Sequence, residues 1–104
     1  PDVNVVIGSA QAIGGASLAA GPDSPVLFIG NGASRQAVEA VRNGDWFAIY
    51  ALDVYLNGYT AAELGINKHL GEDVEVAIAE ADLTPSKGIG TLANLEGFEA
   101  TYDD

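Results

Sequence analysis

The chain has no cysteine and no methionine, few basic residues, and no apolar run of membrane-spanning length. The first absence excludes disulfides, thiol nucleophiles and cysteine metal sites together. It leaves the compartment open, because exported and cytosolic proteins alike can lack cysteine. The basic residues are Arg35, Arg42, Lys68 and Lys87, set against fifteen acids for a net charge of −11. A field of that sign repels phosphate backbones and anionic lipid heads, so no nucleic-acid partner is expected. The plainer reading of the acids is a solvated surface that aids solubility. A membrane helix needs about 20 consecutive apolar residues, and none occur here. With no methionine and Pro1-Asp2 at its start, the chain is expected to be a processed product or a fragment.

What is present is a core. Of 104 residues, 48% are apolar, enough for one small domain and too much for a disordered chain. The dominant pattern is a short apolar run ending in glycine, followed by a helix-compatible stretch. Val3 to Ile7 closes at Gly8-Ser9, and Ala10 to Ala20 follows with Ile13 and Leu18 available for packing. After a Gly-Pro-Asp-Ser-Pro connector at 21–25, Val26 to Ile29 forms a second run ending in Gly30-Asn31-Gly32. Ser34 is placed to cap a helix to about Asn43, with Ala37, Val38 and Val41 as its apolar stripe and Arg35, Glu39 and Arg42 toward solvent. Trp46 to Leu52 is the third strand, its Trp46 and Phe47 expected in the core.

A further helix is predicted from about Leu56 to Leu70, where Ala62, Ile66 and Leu70 recur every fourth residue. Thr60 and Glu63 have capping-box spacing, or lie within its first turns. Val74 to Ala79 alternates apolar and acidic residues, the pattern of a half-exposed strand. The remainder from Leu83 predicts loop, one short strand and a helical turn near Leu95 to Phe98. Strands alternating with helices at this spacing imply right-handed βαβ units and an α/β fold with a parallel sheet. The continuous apolar runs predict strands covered on both faces.

In such sheets ligands collect at the carboxyl ends of the strands. That rule selects Gln11, Asn31 and Asp53, whose amide and carboxylate groups suit a hydroxyl-rich ligand. Tyr50 and Tyr55 flank the third segment and offer an apolar face or a hydroxyl. The alternative for Asn31 and Asp53 is that they shape turns and cap helices. Enzyme chemistry finds little support. The glycines of 8–15 follow a strand but lack GxGxxG spacing, no GxxxxGK[ST] loop occurs, and no serine sits in a GxSxG elbow. His69 is the only histidine and falls near a helix end, and Glu72-Asp73 and Asp103-Asp104 are charge runs at a turn and a terminus. No cofactor, metal or catalytic residue is expected.

Taken in order, several segments resemble one family. Pro1-Asp2-Val3-Asn4-Val5-Val6 with its small-residue helix, Val26 to Gly32, and Ala37 to Trp46 resemble the closing strands of a type 1 periplasmic binding protein. Tyr50-Ala51-Leu52-Asp53-Val54-Tyr55, with Gly58 and Thr60-Ala61-Ala62, is similar to that family's crossover and following helix. Leu83-Thr84-Pro85 and Asn94-Leu95 are similar to its terminal segment. The resemblance implies a Rossmann-like parallel sheet with flanking helices, part of a two-lobe fold hinged around a ligand. Residues 1–53 would belong to the C-terminal lobe. Residues 54–82 would be a crossover helix and strand that normally complete the N-terminal lobe, and 83–104 a terminal crossover segment.

It implies a non-catalytic solute-binding component of an ABC transporter, periplasmic or extracellular, with a lipid anchor compatible. The expected partners are a carbohydrate or similar small polar ligand, the remainder of its own protein and a membrane permease. In this resemblance Gln11 stands where an aspartate commonly binds sugar hydroxyls, Asn31 replaces the aspartate of the turn after the second strand, and Leu52 replaces a crossover Gln or Asn that often contacts the sugar. Those departures point away from the usual pentoses and hexoses, toward a modified sugar, a polyol or another small polar metabolite. The same fold serves as the effector domain of sugar-responsive repressors, the alternative from another class. A remnant without independent activity is the third expectation, and a nucleotide-binding enzyme fragment would need the phosphate loop that is absent.

Overall fold

The structure, a computed structural model, describes residues 2–75, 77–84, 88–100 and 102–103. Pro1, Pro85, Lys87, Asp104 and the middle of the strand expected over 74–79 lie outside the described residues. Three βα units build the chain: β1 (Val5–Ser9), α1 (Ala10–Ala20), β2 (Leu27–Asn31), α2 (Arg35–Asn43), β3 (Ala48–Tyr50) and α3 (Val54–His69). A 3-10 turn (Glu80–Leu83) and a short strand, β4 (Ile89–Thr91), follow. The sheet order is β1-β2-β3-β4. The first three strands run parallel and β4 pairs antiparallel with β3. The protein is therefore an α/β domain with a mostly parallel sheet, as the alternating runs predict.

Helix α2 forms where its signals lie. Ser34, fully buried, accepts a hydrogen bond from the Ala37 N–H at 3.3 Å, and Gly44 closes the helix in the left-handed conformation. Ala37, Val38 and Val41 are buried as expected. The core lies between the sheet and helices α1 and α2, where Ile13, Phe28, Trp46, Ile49 and Leu95 meet the α2 stripe. One register row on this side, Gly8, Gly30, Ile49 and Gly90, carries a single side chain. Its glycines admit large groups close to the sheet: Ile13 over Gly8, the Trp46 ring over Gly30 and Leu95 over Gly90.

The opposite face is bare, which corrects the expectation of strands covered on both sides. Two successive right-handed crossovers progress in one direction along the sheet, so α1 and α2 fall on the same face. The other face carries three register rows: Val5 with Leu27; Ile7, Ile29, Ala48 and Thr91; and Ser9, Asn31, Tyr50 and Ile89. Ile7 is 71% exposed and Ile89 56%. An apolar run of β-branched residues thus marks a buried-type strand without saying that both of its faces find cover.

Further expectations change. Leu18 and Phe47 are exposed; Leu18 lies beyond the last core residue of α1, and Phe47 stands just ahead of β3 in the wall of an open groove. Helix α3 begins earlier than Leu56, with Asp53 as its cap, and Thr60 and Glu63 lie inside it. No residue of α3 is buried, Ala62, Ile66 and Leu70 included. No strand forms among the described residues of 74–79, and the sheet is made of β1 to β4. The helical turn expected at Leu95 to Phe98 is a hydrogen-bonded turn, Phe98 N–H to Leu95 C=O at 3.1 Å.

The terminal segment is tied back to α2. Arg42 donates from one guanidinium nitrogen to the carbonyls of Leu95, at 3.1 Å, and Phe98. The Arg35 N–H donates to the Tyr102 carbonyl at 3.1 Å, and its side chain pairs with Asp103 at 2.6 Å. The Asp103 carboxylate raises the guanidinium pKa above its ordinary, already alkaline value, so Arg35 stays charged. Asn94 follows β4 and exchanges two hydrogen bonds with Thr91, side-chain oxygen from one N–H and N–H to carbonyl in return.

Candidate functional site

The carboxyl edge of the sheet is built from three strand ends. β1 ends at Ser9, β2 at Asn31 and β3 at Tyr50, and the parallel register sets these three side by side. Gln11 follows two residues later, exposed on the first turn of α1. Asp53 follows β3 by three residues and is partly exposed. The residues selected from sequence thus lie along one edge, as the topology requires.

Their surroundings differ. Asn31 and Tyr50 share the bare face, and both line an open groove of about 650 Å³ with Ile7, Ile29, Ile89 and Thr91. Gln11, Leu52, Asp53 and Tyr55 do not line it. The structure brings two of the six candidates into one concavity and leaves four around its rim or beyond. The groove walls are mostly apolar, with Asn31 and the Tyr50 and Thr91 hydroxyls as the polar groups, a composition suited to the apolar face of a small polar molecule. A larger groove, about 990 Å³, lies at the amino ends of the strands between α1 and α2, with Leu18, Trp46 and Phe47 in its walls. It contains none of the selected residues. Chain topology favours the smaller one as the ligand side, since ligands gather outside carboxyl strand ends.

Asp53 does cap a helix: its Oδ1 accepts the Leu56 N–H at 2.9 Å. A carboxylate has two oxygens that can accept, so the capping role and a ligand role are compatible. Leu52 is partly buried, and its N–H bonds the Tyr50 carbonyl at 2.9 Å, folding the chain tightly before α3. Tyr55 is 73% exposed on the first turn of α3. Among the described residues, no three His, Asp or Glu side chains group as metal ligands, and no helix is long and apolar enough to cross a membrane.

Two neighbours of the site were not selected from sequence. Tyr102 brings its hydroxyl over Gly32, where a Cβ would lie 2.7 Å from it. Gly88 underlies the Tyr50 ring so closely that a Cβ there would sit 2.2 Å from a ring carbon, and its φ of 88° also favours glycine. The Gly88 carbonyl accepts the Ala51 N–H at 2.8 Å. Both contacts span long stretches of chain, and no local spacing signals them. Comparison with family models, with curated proteins and with solved structures finds no match for this chain.

Proposed function

We propose that this chain is part of a two-lobe solute-binding protein that takes a sugar or similar small polar ligand between its lobes and passes it to an ABC-transporter permease. The observation that carries the reading is the exit of α3. The chain leaves the carboxyl edge at Asp53 and enters a 16-residue helix that buries none of its residues against the sheet it has just left. A crossover into a second lobe has that property, and it begins beside the edge where ligands of parallel sheets collect. Asn31, Tyr50 and the Asp53 carboxylate would supply this lobe's share of the hydrogen bonds, with Gln11 at the rim. The reading places the protein outside the cytoplasm, and the ligand contacts need no cofactor.

One lobe contributes part of a closed cleft, so binding by this chain alone is weak, with a dissociation constant on the order of 1–50 mM. Saturation-transfer NMR against pentoses, hexoses, amino sugars and polyols at about 50 mM tests the reading. Transfer to at least one of them, lost in an Asn31→Leu variant that keeps its fold, supports it. No transfer to any member of the panel contradicts it.

A further inference from the structure

Helix α3 is amphipathic in the wrong sense for its surroundings. Tyr55, Tyr59, Ala62, Ile66 and Leu70 follow one another at spacings of four and three residues, which sets them on one stripe. That stripe faces solvent: Tyr55 is 73% exposed, Tyr59 58%, Ile66 61% and Leu70 68%. The half-buried positions, Asn57, Thr60, Leu64 and Asn67, lie on the other side, and three of those four are polar. A helix that covers its polar side and presents its apolar stripe is made to receive something. The bare face of the sheet is in the same condition.

We propose that two copies of this chain pair by exchange, the α3 stripe of each lying on the bare sheet face of the other. The exchange goes beyond the ligand-binding reading and competes with it for one surface, since a paired α3 would lie over the groove that Asn31 and Tyr50 line. Three observations select a second copy as the occupant. One is charge. The molecule carries −11, yet the register rows of the bare face hold no charged residue, and α3 holds one acid, Glu63, against one base, Lys68. The two unpartnered surfaces are therefore the two on which acidic copies do not repel each other.

Reach is the second. The molecule extends 56 Å along its long axis against 30 and 22 Å across, and α3 buries none of its residues against its own sheet. Its stripe runs about 22 Å, and the five-residue strands of the face about 17 Å.

Area is the third. Each exposed large apolar side chain offers on the order of 100 Å². Val5, Ile7, Leu27 and Ile89 on the face, with the four large residues of the stripe, give roughly 800 Å² per copy, what a standard stable interface requires. Face-to-face sheets would leave both helices bare, and paired helices would leave both sheets bare. Exchange covers all four surfaces with one two-fold axis.

The absence of cysteine makes the test direct. Ile29→Cys on the face and Ala62→Cys on the stripe are prepared separately and checked for native circular dichroism. Each is treated with a short bismaleimide alone, and then in an equimolar mixture, beside sedimentation of the wild-type chain between 1 and 100 µM (concentrations of order set by ~µM dimers). Exchange predicts a wild-type dimer, and cross-linked pairs at least fivefold more abundant in the mixture than in either variant alone. Predominant pairs within the Ala62→Cys sample mean helix against helix, and within the Ile29→Cys sample sheet against sheet. Either result overturns the proposal, as does a wild-type monomer throughout the range.

Discussion

Gly30 shows how much a single hydrogen atom decides here. The Trp46 ring crosses the sheet directly over it, and a Cβ would lie 2.7 and 3.2 Å from two ring carbons, with the Ala10 Cα 3.6 Å away. Trp46 is buried and packed among other core groups, so its ring has little room to retreat. Gly30→Ala is expected to lose about 1–3 kcal/mol in urea unfolding and to alter the near-ultraviolet tryptophan signal. Gly15 is the control. It sits exposed within α1 with nothing within 4 Å of a Cβ, so Gly15→Ala is expected to gain about 0.5–1 kcal/mol from helix propensity. A gain at both positions would mean that the ring does not pack on the sheet as described. The sequence marks both residues alike as glycine. Which one is indispensable depends on a tryptophan sixteen positions away and on the register that brings them together.

At the scale of elements, the Asp53 cap separates two roles that sequence alone runs together. Asp53→Ala removes the acceptor for the Leu56 N–H, a loss of about 0.5–2 kcal/mol in helix stability. Because α3 buries nothing, that loss is expected in helical ellipticity at 222 nm, with the main unfolding midpoint of the α1–α2–sheet core unchanged. Asp53→Asn keeps a capping oxygen and is expected to keep the ellipticity, while any ligand contact that needs the carboxylate weakens. Equal ellipticity in the alanine variant would contradict the cap.

The first three strands and α1 and α2 were legible because apolar run length, glycine stops and a serine cap all act within a few residues. Helix α3 starts two residues before the Leu56 expected, because the residue type at 53 suits a ligand and a cap equally and Thr60–Glu63 matches a capping motif by spacing alone. The strand expected over 74–79 had the right alternation, yet the sheet is made of β1 to β4, and sequence pattern does not report pairing. Of the six site candidates, Asn31 and Tyr50 were brought into one groove by register. Tyr102 and Gly88 were not legible at all, since their contacts join distant parts of the chain.

The whole molecule is more extended than its length requires. Its radius of gyration is 16.4 Å, against about 13 Å for a compact chain of this size, and α3 buries none of its residues. Two properties then oppose each other: uncovered apolar surface favours association, and −11 on each copy resists it. Salt screens the second and leaves the first, so the wild-type dimer is expected to tighten several-fold as sodium chloride rises from about 0.02 to 0.5 M, over which the screening length falls from about 20 to about 4 Å. Sedimentation equilibrium reads this directly, and weakening with salt would point to an interface held by ion pairs instead.

The central claim is that the carboxyl edge of this sheet is one wall of a ligand cleft, and mapping a bound sugar tests it most directly. Amide resonances of the isotopically labelled chain are followed during titration with whichever sugar or polyol gives saturation transfer. The account predicts that the saturable shifts concentrate at Ser9 to Gln11, Asn31 to Gly32 and Tyr50 to Asp53, three segments far apart in sequence and adjacent at one edge. Shifts confined to the groove at the amino ends, around Leu18 and Trp46, would contradict it, as would shifts scattered without a common edge.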